Sequence, residues 1–233
     1  MKLRMQITKD KDIRFISHLE YVRTIGRAIR RAKLPAAYSE GFNPHLKFSL
    51  ASALGVGVVS YTEFVEIELA EPMEVEKAAL ALDAALPRGI RVLAADAVDT
   101  HHAALMSQAA GASYRVTLPY SKDVSAAVAE FNAAPELLFK KAAPKTKFKE
   151  IDVKFYIPQL TAEQTEKETI FSFDCKITPT GSMKAVDLLN ALNEQYGLAL
   201  PVEMADIERL RLYRNNKNGK PIPMLNSDAV TLG

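Results

Sequence analysis

The chain has 233 residues, 48% hydrophobic and 25% charged, which excludes a disordered chain and leaves room for one large domain or two small ones. No apolar run nears the roughly 20 residues needed to cross a bilayer, and a single cysteine, Cys175, excludes an internal disulfide and a metal centre ligated by several of this chain's own cysteines. The formal net charge of +2 hides segregation: residues 1–50 hold 11 Lys/Arg against 4 Asp/Glu, 51–138 hold 5 against 12, and 139–156 hold 6 against 2. Such basic blocks point to an anionic partner once folding gathers them.

Residues 2–8 alternate, with Leu3, Met5 and Ile7 on one side, which predicts a strand. An extended piece over 12–16 leads to a helix opened by Ser17, with Glu20 three residues on as a capping box, and closed at Leu34-Pro35. Strands are expected at 47–51 and 62–69, with Gly55-Val56-Gly57 turning between them. A helix over 73–85, a turn at Pro87-Arg88-Gly89 and a strand over 90–95 complete the first half. The second half repeats the theme. It reads as strand 114–118, helix 121–132, strand 136–141, a strand pair 148–157 and 169–178 across a polar turn, helix 182–195 and strand 207–213. The expected class is α+β: two tandem ferredoxin-like β-α-β-β-α-β units with antiparallel sheets, at 1–96 and 113–214. Residues 97–112, with His101 and His102, read as a linker, and 215–233 as a mobile tail.

On the first helix Arg23, Arg27, Arg30 and Arg31 share an arc of about 100°, with Lys33 just beyond. Arginine offers a planar fork that matches phosphate oxygens, so this face is a candidate RNA contact. The loop Ser39-Glu40-Gly41-Phe42-Asn43-Pro44-His45 adds an aromatic, an amide and an imidazole, from which Phe42, Asn43 and His45 are candidate contacts. Lys140, Lys141, Lys145 and Lys147, interleaved with Phe139 and Phe148, form a second candidate RNA surface. No histidine or cysteine spacing fits a metal, and Gly55-Val56-Gly57 lacks the lysine of a phosphate loop. Cys175 sits in an alternating segment and reads as a packing residue.

Arg14-Phe15-Ile16-Ser17-His18-Leu19-Glu20, Arg30-Arg31-Ala32-Lys33-Leu34-Pro35 and the run from Tyr38 to His45 resemble a bacterial radical-SAM-associated domain family of unknown function. The match falls on Arg14, Ser17, His18, Arg30, Arg31, Gly41, Phe42, Asn43, Pro44 and His45. Members of that family stand alone or are fused behind a cobalamin-binding radical SAM enzyme, with genes near those for an E/G-type ribonuclease and large-subunit ribosomal proteins. The resemblance thus implies an RNA-linked or ribosome-linked role and assigns no activity.

The expectation is a cytoplasmic, non-catalytic RNA-binding accessory protein with no cofactor of its own. Its partners would be a radical SAM protein and an RNA or ribosomal component, with no membrane. One alternative is a metal-independent ribonuclease in which His18 or His45 is the base, the other histidine the acid, and Arg14 or Arg30 steadies the phosphorane. Another is a docking module whose basic face meets an acidic protein. The tandem architecture is also similar, at fold level only, to RNA-processing endonucleases of CRISPR systems.

Overall fold

The computed structural model describes residues 1–99, 103–143 and 147–232, which form a mixed α/β protein with 13 strands and six helices among them. The chain divides into two units, one of residues 1–110 and 212–233, the other of 111–211. No helix among the described residues is long and apolar enough to cross a membrane.

The first unit opens with β1 (Lys2–Lys9), whose Leu3, Met5 and Ile7 are fully buried. A 3-10 turn (Lys11–Ile13) follows where an extended piece was expected, because the Ile13 amide bonds back to the Asp10 carbonyl at 3.1 Å. Helix α1 (His18–Arg31) starts on the Ser17 cap, whose hydroxyl oxygen accepts the Glu20 amide at 3.2 Å. It buries Tyr21, Ile25, Ala28 and Ile29, spaced at i, i+4, i+7 and i+8 against the sheet. It stops at Lys33, whose left-handed φ of 51° lets the Leu34 amide reach back to the Ile29 carbonyl at 3.4 Å. Then come β2 (Phe48–Leu50), β3 (Val58–Glu68), α2 (Val75–Ala85) and β4 (Val92–Val98). The sheet order is β2–β3–β1–β4, with each of these neighbouring pairs antiparallel. Residues 97–112, expected as a linker, finish β4 and hold α3 (Leu105–Gln108), whose Leu105 is buried.

The second unit runs β5 (Gly111–Leu118), α4 (Ser125–Ala133), β6 (Leu138–Ala143), β7 (Lys147–Asp152), α5 (Val153–Tyr156), β8 (Leu160–Gln164), β9 (Thr169–Thr178), β10 (Gly181–Ser182), α6 (Ala185–Tyr196) and β11 (Asp206–Asn215). Its sheet runs β9–β5–β11, with β8 and β10 both pairing β9. The expected pairing of 148–157 with 169–178 does not form. Residues 147–152 instead pair with β6 as a separate two-stranded hairpin, and β9 takes β8 and β5 as partners. The cause is local: Asp152 caps α5 by accepting the Lys154 amide at 3.0 Å, which breaks the extended run before it can reach β9.

The segment from Asn215, expected as a mobile tail, is folded into the first unit. β11 returns the chain there, β12 (Pro221–Pro223) pairs its end, and β13 (Val230–Thr231) pairs β4. The reason is a buried charge. Arg4, 3% exposed, holds Glu66 with Nη2 at 2.8 Å and gives its Nη1 to the Met224 carbonyl at 2.8 Å. Beside it Asp96 takes the Asn226 side-chain amide at 2.5 Å. Replacing Arg4 by Met leaves the buried Glu66 carboxylate to the longer ion pair with Lys2 at 3.5 Å and frees the Met224 carbonyl, so Arg4→Met lowers unfolding free energy by about 3 kcal/mol in urea titration. Adding Glu66→Leu recovers part of that loss, because the poorly compensated buried charge is then gone.

Candidate functional site

At the end of β1 the helix-facing parity of the strand passes from Leu3, Met5 and Ile7 to Lys9. Lys9 is 1% exposed, and its ammonium donates to the carbonyls of Arg14 at 2.8 Å, Ile16 at 3.2 Å and Gly55 at 3.3 Å. Glu63 lies opposite Ile7 on β3 and is equally buried. Tyr21 of α1 donates its hydroxyl to the Thr8 carbonyl at 2.6 Å. Burial, with Glu63 and Asp10 adding negative charge, pushes the Tyr21 phenol well above its usual value. His18, the first residue of α1, completes the cluster, and its Nδ1 is buried with no hydrogen-bond partner among the described residues. Burial holds its pKa below the usual value; Glu63 opposes this and Lys9 reinforces it. A neutral imidazole at a helix N-terminus is what such surroundings favour.

Sequence reading found His18 and missed Lys9, Tyr21 and Glu63 as its companions. The available signal was parity: Lys9 and Glu63 each occupy the alternating position that elsewhere on their strands holds a core residue. Arg14, half-buried, lies beside this cluster with its guanidinium carbon 4.9 Å from the Phe15 ring centre. The Phe15 ring is 69% exposed.

The arginine face of α1 is less uniform than its spacing implies. Arg23 pairs with Glu20 at 2.7 Å on the surface. Arg31 donates to the Ala85 carbonyl at 2.7 Å, tying the end of α1 to the end of α2. Arg30 reaches its own helix at the Gly26 carbonyl, 3.4 Å away. Arg27 is exposed and makes no hydrogen bond or ion pair among the described residues. Lys33 is exposed at the helix end.

The loop after α1 is pinned at its base. The Ser39 amide donates to the His45 carbonyl at 2.8 Å, the His45 amide returns to the Ser39 hydroxyl at 2.9 Å, and Tyr38 bridges Leu46. Gly41 takes φ of +115°, which an L side chain rarely adopts, and so turns the tip. Phe42 is fully exposed there, with Asn43 and His45 exposed beside it in sequence.

His18 lies near Lys9 and Glu63, whereas the loop bearing His45 leaves the sheet where Lys47 pairs with Glu68 at 3.0 Å.

In the second unit Lys141 bonds Asp187 of α6 at 2.5 Å, so its charge is held by the fold. Lys140 is exposed and sits 5.8 Å over the Phe148 ring. Lys147 is the first residue of β7, while Lys145, His101 and His102 lie outside the described residues. Cys175 is buried, and burial pushes its thiol up to about 11, an unreactive state at neutral pH. Among the described residues no group of three His, Cys, Asp or Glu is disposed to hold a metal.

A family model described as an uncharacterized protein conserved in bacteria (DUF2344) matches residues 2–187. The chain belongs to this family. Among curated proteins nothing matches the DUF2344 chain. Solved structures similar to it include one in a Cbf5–Nop10–Gar1 complex, at 12% identity and a TM-score of 0.48, covering 92% of this chain and 50% of that one. The DUF2344 chain therefore spans half the length of that structure. Another is a protein of unknown function from Galdieria sulphuraria, at 14% identity and a TM-score of 0.26, covering 89% and 96%.

His18 makes the stability of this DUF2344 protein pH-dependent. Its folded pKa lies below 6.5, so below that pH the unfolded chain binds the proton more readily than the folded one. Stability therefore falls as pH is lowered from about 6.5 through the folded value, and His18→Gln removes that component. Urea titrations of both proteins between about pH 5 and 7 measure it.

Proposed function

We propose that this protein is a non-catalytic RNA-binding accessory of a radical SAM enzyme, acting in the cytoplasm on an RNA or ribosomal target. The observation that carries the RNA reading is Phe42. A fully exposed phenylalanine at the tip of a loop pinned on both sides has no role in the core and suits stacking on a base. Arg27, exposed and unpaired among the described residues, supplies phosphate contact in the same unit, with Arg30 one helical turn on. Asn43 and His45 offer polar groups for a base edge. The radical SAM partnership rests on the signature residues from Arg14 to His45, and the chemistry would then belong to that partner.

Both units are read as ferredoxin-like. Supporting this, the orders β2–β3–β1–β4 and β8–β9–β5–β11 correspond strand for strand, with β6–β7 as an insertion in the second.

Crosslinking and sequencing of RNA bound to the protein in its own cells tests the reading, beside a variant carrying Arg27→Glu and Phe42→Ala. One enriched RNA is expected, with affinity about tenfold or more weaker in the variant and falling steeply with salt. The same pull-down should retain the radical SAM enzyme. No RNA above background, or equal enrichment by the variant, overturns the proposal.

A further inference from the structure

The β6–β7 hairpin presents two unlike faces. On the inner one Phe139 is buried and Lys141 is held by Asp187. The outer one is set by register: Leu138 pairs with Asp152, Lys140 with Glu150, and Ala142 with Phe148. Leu138 is 52% exposed and Phe148 56%, so this face offers apolar surface to solvent beside a lysine. Immediately after the hairpin, α5 offers another ring, Phe155, 51% exposed and packed edge-on against Tyr156 at 5.0 Å. Lys176 of β9 stands 5.3 Å over that ring, as Lys140 stands over Phe148. Residues 149–152 of β7 and the two rings of α5 line a shallow groove of about 310 Å³.

We propose that this outer face and groove take an unpaired stretch of RNA, whose bases stack on Phe148 and Phe155 while Lys140 and Lys176 meet the adjoining phosphates. The proposal rests on the RNA-binding reading above and adds a second contact and a substrate class. Single strands are favoured over duplex because stacking needs open base faces, which a duplex covers with neighbouring bases. Glu150 and Asp152 line the same groove, so stacking contributes more here than phosphate charge does, and the salt dependence of this contact is shallow.

The test uses the full chain with a single-stranded RNA of about 16 nucleotides carrying photoreactive 4-thiouridine, and a blunt duplex of the same length. Crosslinked peptides are expected from residues 147–156. The pair Phe148→Ala and Phe155→Ala should weaken single-strand binding about tenfold and leave duplex binding unchanged, while Phe148→Tyr with Phe155→Tyr should retain it. Because both rings are half exposed, a thermal melt matching the parent keeps the Ala pair interpretable. Crosslinks confined to residues 14–47, with affinity unaffected by the Ala pair, overturn this inference and leave the RNA-binding reading standing. Loss of binding in the Ala pair but not in the Arg27→Glu, Phe42→Ala variant supports it and displaces the helix and loop as the main contact. No binding to either RNA overturns both.

Discussion

A lysine ammonium removed from water must be surrounded by oxygen, and Lys9 is the point where this chain meets that demand. Three of its carbonyl partners come from two separate segments, Arg14 and Ile16 before α1 and Gly55 before β3. The entry to the helix and the turn into the longest strand of the first unit are therefore fixed by one cation. From that anchoring follow the place of the Ser17 cap, the burial of Tyr21 and the burial of His18 Nδ1. Gly57 adds a second tie, its amide donating to the Arg14 carbonyl at 2.8 Å. An apolar residue in place of Lys9 would remove one donor from each of these carbonyls in a dry interior.

Charge in this protein divides between two roles that the sequence does not distinguish. Arg4, Lys9 and Lys141 are consumed within the fold by Glu66, backbone carbonyls and Asp187. Arg31 likewise closes the end of α2. What remains for a partner is narrower than a tally of basic residues implies, and includes Arg27, Arg30 and Lys33 in the first unit and Lys140 and Lys176 in the second. The Arg23–Glu20 pair is exposed and contributes little to either role.

Much of the architecture was legible where a local rule decided it. The Ser17 cap, the i, i+4 stripe of α1 and the alternation of β1 and β9 all act within a few residues, and the elements lie where those patterns place them. Pairing over longer range was not legible. Residues 148–157 have strand composition throughout, but the Asp152 cap divides them, and nothing in the pattern says that β7 would turn back onto β6. The last 19 residues, rich in Asn, Lys, Gly and Pro, look like a tail by composition, yet Arg4 lies more than 200 positions away and supplies the reason they fold. The site was half legible for the same reason. His18, Phe42 and the arginine stripe stand out in short motifs, whereas Lys9 and Glu63 meet only through the register of two strands.

That long-range closure bears on the order in which the chain is made. The first unit is interrupted in sequence by the whole of the second, so a ribosome finishing residue 110 has released a sheet whose edge at β4 is still bare and whose Arg4 still lacks the Met224 carbonyl. At about 5–20 residues per second, several seconds pass before the closing strands exist. The second unit, continuous from 111 to 211, is free to fold during that interval. The amino-terminal unit, begun first, is thus completed last, and its open edge strand is the part of the nascent protein most exposed to premature pairing with a neighbouring chain.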